Sequence, residues 1–356
     1  MTLQESRKKK GGGIKLIVIA AILIVLLGGG ATGYKYYNYI FESNVITPDS
    51  TSTLLFIPSG ASFSEVTDIL KAEGYIKDID GFEWVSQKKK YTNRVIGGCY
   101  ALKHNMNNNE LVNLLRSGKQ TPVKVTFNNI RTLEQLAGRI ADKIEPDSLK
   151  LQALLNDSSV ITGYGFTKET FPAMFIPNTY EFYWTTSANK FIDRMNQEYK
   201  SFWNNKRVEK AKNAGMTPIE VSALASIVDE ETVKADEKPV VAGLYINRLN
   251  KGMRLQADPT IKFVINDFTV KRILNKDLEI DSPYNTYIYA GLPPGPIRIP
   301  SIQGIDAVLN HKNHKYLYMC ANEDFSGYHN FARTLQQHNQ NADRYRKALR
   351  KNRIWR

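Results

Sequence analysis

Leu16 to Tyr34 carries no charge and is mostly apolar, and this run near the N-terminus limits the possible folds more than any other feature. As a helix it is roughly 28 Å long at 1.5 Å per residue, about the thickness of a bilayer's hydrocarbon core. Arg7, Lys8, Lys9, Lys10 and Lys15 lie before or at its start, and Tyr34, Tyr36 and Tyr37 stand at its far end. Basic residues stay on the cytoplasmic side and tyrosines favour the interface. The pattern therefore predicts a basic cytoplasmic stretch at 1–13 and one transmembrane helix at 14–35, with the rest of the chain on the extracytoplasmic side of the cell membrane. A cleaved signal peptide is the rival, because the densest apolar part, Leu16–Leu27, is short and Gly28–Gly33 is rich in small residues. No clear small-x-small cleavage site precedes the tyrosines, which favours a retained anchor.

At 356 residues, 42% hydrophobic and 23% charged, the remainder reads as two or three globular domains. The net charge of +13 matters less than its placement. Arg344, Arg346, Lys347, Arg350, Lys351, Arg353 and Arg356 close the chain, and such a cluster either touches anionic lipid or polymer or only aids solubility. An exported domain has no nucleic acid to meet. Cys99 and Cys320 are the only cysteines and lie far apart. A disulfide is permitted outside the cytosol, but two unpaired thiols are the expectation.

The expected organisation is α+β. Residues 36–52 read as a polar stalk. A module at 53–120 reads strand, helix, helix, strand: Leu54–Ile57, a helix capped by Ser62 and Glu65 and stopped by Gly74, a helix near Gly81–Lys90, and a return strand at Gly97–Leu102. A further helical stretch, Asn107–Arg116, closes it. Beyond it, 121–350 alternates strand-like Val123–Phe127 with helical Leu133–Ile144 and Leu149–Leu155, giving a mixed α/β domain before a basic tail at 351–356. Phe171–Tyr180 is apolar but broken by two prolines, so a packed loop or short strand is expected there.

Within that larger domain one helix carries an acid where apolar residues belong. Thr217 is a good N-cap, Pro218 suits the first helical position, and Glu220 completes a capping box. Val221, Leu224 and Val228 then mark the inward stripe, and the next position on it is Glu231. At about 100° per residue, Glu230 sits roughly 100° and Asp229 roughly 200° round the helix from it. One acid of the three is thus aimed inward, where a carboxyl tends to keep its proton, as a general acid must. An ordinary acidic helix end is the plain alternative. A second helix is expected over Asp236–Leu249.

Four blocks follow: Ile246-Asn247-Arg248-Leu249, Leu255-Gln256-Ala257-Asp258-Pro259-Thr260, Tyr284-Asn285-Thr286-Tyr287 and Gly291-Leu292-Pro293-Pro294-Gly295-Pro296-Ile297. Stiff loops bearing amides and tyrosines near a buried acid suit sugar recognition, since amides bond hydroxyl and N-acetyl groups while aromatic faces cover a ring. Asn247, Gln256, Asp258, Tyr284 and Asn285 are the candidate glycan-binding residues. Asp258 is equally expected as a simple helix cap, and Asn247 and Gln256 as partners for buried backbone. His311, His314, His329 and His338 lack the helical pair and interposed Glu of zinc proteases, so no metal is expected, and no cofactor motif is present. His329 and His338 are expected to hydrogen-bond within the pocket or the core.

These blocks, with Ser226-Ile227-Val228-Asp229-Glu230-Glu231-Thr232 before them and His338-Asn339 after, resemble the endolytic murein transglycosylases, the MltG or YceG-like family. The likeness is ordered and spans about 54–350. It implies that the second acid of a Val-Glu-x-Glu-Thr pattern, here Glu231, is catalytic, with Asp229 in the place of the first. It also implies a membrane-anchored enzyme with a small LysM-like module that cuts nascent peptidoglycan strands internally and ends their elongation, with peptidoglycan synthases as candidate partners. Two departures lie outside the catalytic helix: Asn178 stands where the family usually has an acid, and Asn129-Ile130 where a Glu-Gly pair is common.

One well-aimed carboxyl is enough for such a lyase. The muramyl residue's own C6 hydroxyl attacks and closes a 1,6-anhydro ring, and the proximity of an intramolecular nucleophile replaces a second acid. A lysozyme-like hydrolase would need a partner, Asp229 or Asp258. A non-catalytic scaffold that holds peptidoglycan through the 53–120 module is the third reading.

Overall fold

The apolar run forms helix α1 (Gly12–Phe41), whose stretch from Lys15 is long and apolar enough to cross a membrane. The computed structural model describes residues 12–270 and 272–354. Arg7, Lys8, Lys9, Lys10 and Arg356 lie outside the described residues. Two units are distinguished, the first comprising residues up to Val123 with Tyr183–Thr185, the second Lys124–Phe182 and Thr186 onward.

In the first unit, β1 (Thr53–Ile57) pairs antiparallel with β2 (Gly98–Leu102), and between them come α2 (Phe63–Ala72) and α3 (Ile79–Lys88); α4 (Asn108–Ser117) follows. The cap read from sequence forms: Ser62 and Glu65 bond reciprocally at the start of α2; Asn107 and Glu110 make a second such box at α4 that was not expected. Leu55, Ile57, Val66, Leu70, Phe82, Tyr100, Leu111 and Leu115 close one core. Each such side chain contributes about 1.5–3 kcal/mol on burial.

Two expectations change here. Helix α1 continues past residue 35 to Phe41, because the unit gives it something to pack on: Tyr36 stacks on Trp84 with centroids 4.6 Å apart, and Asn108 Nδ2 donates to the Tyr39 carbonyl at 2.9 Å. The segment after it is not a free stalk. Val45 is fully buried and bridges Ile76, and the buried Asn44 side chain donates to Asp78 O at 2.6 Å and Asn108 Oδ1 at 2.7 Å.

The second unit begins with β3 (Val123–Phe127), which pairs with β4 (Asn178–Phe182) across α5 (Leu133–Ala141), α6 (Ser148–Leu155) and α7 (Ser158–Gly163). Phe171–Met174 is a short 3-10 turn, so the proline-broken segment is partly loop and partly strand. Helices α8 (Ala188–Phe202) and α9 (Asn205–Asn213) lead to α10 (Pro218–Glu231), α11 (Lys238–Asn250) and α12 (Asp258–Ile265). Then come α13 (Ile302–Leu309), the antiparallel ribbon β5 (Tyr318–Ala321) and β6 (His329–Ala332), and α14 (Leu335–Lys351) packed against that ribbon. The mixed α/β class expected from sequence is what forms. Cys99 is buried, Cys320 half-buried, and both are free thiols.

Candidate active site

Helix α10 starts as its sequence dictates. Thr217 Oγ1 accepts from Glu220 N at 3.3 Å and Glu220 Oε2 accepts from Thr217 N at 2.7 Å, closing the capping box. Val221, Leu224 and Val228 are fully buried, as their spacing predicts. The rest of the helix from Val221 to Asp229 is buried too, because α11, α12 and α13 pack around it and Ala223, Ala225, Ser222 and Ser226 are small enough to let them close. A helix buried on all sides has no single inward stripe. The expectation that only one of the three acids faces the interior is therefore corrected.

What separates the acids is their partners. Asp229, expected on the far side, is the deepest, with its side chain 4% exposed. It accepts from Lys238 Nζ at 2.5 Å, Ser301 N at 2.7 Å and Ser301 Oγ at 2.8 Å. Glu230 lies between two guanidinium groups, Arg131 at 3.1 Å and Arg298 at 2.5 Å. Among the described residues Glu231 pairs with no cation; its one short contact is the Tyr245 hydroxyl, which donates to Oε1 at 2.5 Å. It is also the last residue of α10, where unpaired carbonyls present the negative end of the helix dipole. Desolvation raises its carboxyl from 4.5 to about 7; the Tyr245 bond opposes that rise, Asp258 adds to it, and His329 and Arg248 oppose it from farther off. Two neighbouring carboxylates hold cations. The third keeps its proton near neutral pH.

Glu231 opens into a groove of about 430 Å³. Helix α11 lends Tyr245 and Arg248 to it, the turn before α12 lends Gln256, the first residue of α12 lends Asp258, and Tyr287, Tyr318, His329 and His338 complete the lining. Arg248 is buried and ties these pieces together, donating from Nε to Leu317 O and from Nη1 to Leu255 O, each at 2.6 Å. Gln256 adopts a φ of +50°, a backbone conformation uncommon for a residue other than glycine, with its backbone N–H donating to Thr286 O at 3.0 Å. Asp258 does not cap α12. It is the first residue of the helix, the cap position being Ala257, and its Oδ1 accepts from the Tyr287 hydroxyl at 2.5 Å. Burial and Asp258 push the Tyr287 phenol up, so it stays a donor.

Of the expected glycan-binding residues, Gln256 and Asp258 share the groove with Glu231, and Asn247, Tyr284 and Asn285 do not line it. The Asn247 amide donates to His314 O at 2.7 Å and Tyr316 O at 3.1 Å. Asn285 is fully buried, donates to Leu278 O and Ile280 O, and accepts from Tyr287 N at 2.9 Å. Tyr284 packs against Phe263 at 4.6 Å. All three brace the loops from behind. Backbone carbonyls that need a partner outbid solvent for a nearby amide, which sequence spacing does not register.

The histidines divide similarly. His314 bonds Val240 O, away from the groove, whereas His329 bonds Glu237 and His338 stacks on Tyr318. Among the described residues no cluster of His, Cys, Asp and Glu is arranged to hold a metal ion.

A family model described as the YceG-like family matches residues 55–344. The chain belongs to the YceG-like family. It is 30% identical to the endolytic murein transglycosylase of Bacillus subtilis (strain 168) over 330 residues, covering 86% of this chain and 89% of that protein. It is 27% identical to the endolytic murein transglycosylase of Streptococcus pneumoniae (strain D39), covering 88% of this chain and 62% of that longer protein. A crystal structure of a YceG-like protein from Listeria monocytogenes aligns with a TM-score of 0.54 and 28% identity, covering 81% of this chain and 98% of the other.

In this YceG-like chain, sequence reasoning did not single out Tyr245, Arg248, Tyr287 or Glu237. Arg248 and Tyr287 stand in blocks already recognised, one position from Asn247 and two from Asn285. On α11, Tyr245 and Arg248 are three apart, one turn of the same face, and that spacing was the available signal.

Proposed function

We propose that this protein is a peptidoglycan lytic transglycosylase that cuts the MurNAc–GlcNAc β-1,4 bond of nascent strands and leaves 1,6-anhydro-MurNAc ends. The relatives named endolytic murein transglycosylase support the substrate class and general activity. The observation that carries the mechanism is the placing of Glu231 in an open groove without a paired cation, where desolvation raises its carboxyl to about 7. Its proton passes to the glycosidic oxygen as C1–O4 breaks, and the muramyl O6 closes on C1. The O6 proton has to leave to a base as the ring closes, and no second carboxyl is needed as nucleophile. Gln256, Asp258 and Tyr287 are the groups we assign to the glycan's polar edge, and Tyr318 to a sugar face. Asn247, Tyr284 and Asn285 shape those loops from behind.

The apolar α1 supports membrane anchoring, and the basic residues before it support an extracytoplasmic catalytic unit. The 53–120 module is assigned to holding glycan in the manner of a LysM-like domain.

A hydrolase would need a second carboxyl, and Asp258 lies in the same groove as Glu231, but the relatives are named transglycosylases and do not favour that reading. Asp229 is no candidate for its partner, being sealed on Lys238 and Ser301. Digestion of uncrosslinked glycan strands, with mass spectrometry of the ends, decides between them. Anhydromuramyl ends that vanish in Glu231→Gln support the lyase; reducing ends would overturn it.

A further inference from the structure

The cleavage involves two protons, one gained by the leaving oxygen and one lost by the attacking hydroxyl, and the groove holds a second group fitted to move one. His329 opens β6 and lines the groove with Glu231. Its ring Nδ1 lies 2.9 Å from Glu237 Oε2, and its backbone N–H donates to Glu237 Oε1 at 2.7 Å. The Glu237 side chain is only 4% exposed, so this carboxylate is committed to one partner residue by both oxygens. A carboxylate only accepts; Nδ1 therefore carries the proton, and in the neutral ring Nε2 is the free base. Among the described residues none bonds Nε2. Ala321 faces His329 across the ribbon, and both line the groove. Glu231, Arg248, Asp258 and His338 are the other ionisable groups sharing the groove with this ring, apart from its tyrosines and Cys320, while Asp236 accepts from Tyr328 beside it.

We propose that His329, oriented by Glu237, is a second catalytic residue that takes the proton of the attacking hydroxyl while Glu231 gives its own to the leaving oxygen. This rests on the lyase reading for the identity of the attacking group. In the step, Glu231 O–H protonates O4, the C1–O4 electron pair leaves with O4, the O6 electron pair forms C1–O6, and the O6 proton moves to His329 Nε2. The imidazolium is stabilised by Glu237, and proton exchange with water returns both groups to their starting forms. Glu237 is a positioning residue. The logic is that of a carboxylate-oriented histidine base, with the sugar hydroxyl in the nucleophile's place.

The test uses the full chain in detergent, uncrosslinked strands, and kcat, KM and product ends read across pH. His329→Gln is expected to lose about 10²- to 10⁴-fold in kcat with KM near the wild-type value. A single-limbed pH profile governed by Glu231 should replace the two-limbed bell, and added imidazole should restore activity to His329→Gly. A kcat near wild type, or a loss that leaves both limbs in place and is deaf to imidazole, overturns the proposal. Should His329→Gln fail to fold, Glu237→Gln carries the test, with a displaced limb expected and an unmoved profile overturning it. Reducing ends from the wild-type protein would sink the lyase reading alone; the His329 result would still decide whether the base acts.

Discussion

Glu231 has a measurable cost. Its carboxyl stands at about 7 in the folded protein against an ordinary 4.5, so the folded state binds the proton more tightly than the unfolded chain. The sign follows: the contribution to stability is fully present below pH 4.5 and is lost as pH rises through 7, a swing of about 3 kcal/mol. Glu231→Gln, which mimics the protonated form, should abolish cleavage yet be more stable than wild type at pH 8 by up to about 3 kcal/mol. The advantage should vanish at pH 4, and denaturant unfolding at the two pH values checks it. Tyr245→Phe acts on the same proton. Its hydroxyl favours the charged carboxylate, so its loss should raise the Glu231 pKa further and move the alkaline limb of kcat to higher pH. A limb that stays or moves down would contradict the assigned bond.

At the scale of the element, α10 is held in its packing by ionic clamps on its last turn. Lys238→Met leaves Asp229 buried with its charge uncompensated and should cost about 3–5 kcal/mol, whereas Lys150→Met, which breaks the exposed pair with Asp147, should cost at most about 1 kcal/mol. Urea midpoints for the two variants test the contrast. Gly295 is a second point of contact: a Cβ there would stand 2.0 Å from the Glu169 carbonyl, and backbone cannot swing aside as a side chain can. Gly295→Ala should destabilise by about 1–3 kcal/mol or more and shift the loop whose Ile297 N–H donates to Ser226 Oγ of α10 at 3.0 Å. The capping box and the start of α10 were legible because they depend on residues three positions apart. The pairing of its acids was not, because Arg131, Arg298 and Ser301 come from distant parts of the chain and Lys238 reaches Asp229 only through the packing of the next helix.

At the scale of the molecule, the end of α1 belongs to the first unit as much as to any membrane. A chain beginning at Tyr34 keeps the Tyr36–Trp84 stack and the Asn108 bond to Tyr39; one beginning at Ser43 loses both. The shorter chain should unfold at lower temperature in its first unit, by about 1–3 kcal/mol of stability, with a weakened near-ultraviolet signal from Trp84. Equal melting of the two would show that α1 is only a tether. Periodicity reported an apolar helix ending near Tyr34; it could not report that the next turns find a surface to pack on.

The amino-acid order alone determined the apolar span, the capped helix with its acidic end, the strand-helix-helix-strand module and the family likeness, all of which rest on neighbours within a turn or two or on short ordered blocks. Tertiary structure decided which acid keeps its proton. Asp229, Glu230 and Glu231 are chemically alike and adjacent, and what sets them apart is the presence or absence of a cation from elsewhere in the chain. It likewise decided that Asn285 braces a loop while Asp258 faces the groove, since a polar side chain goes first to whichever buried group would otherwise be left without a partner.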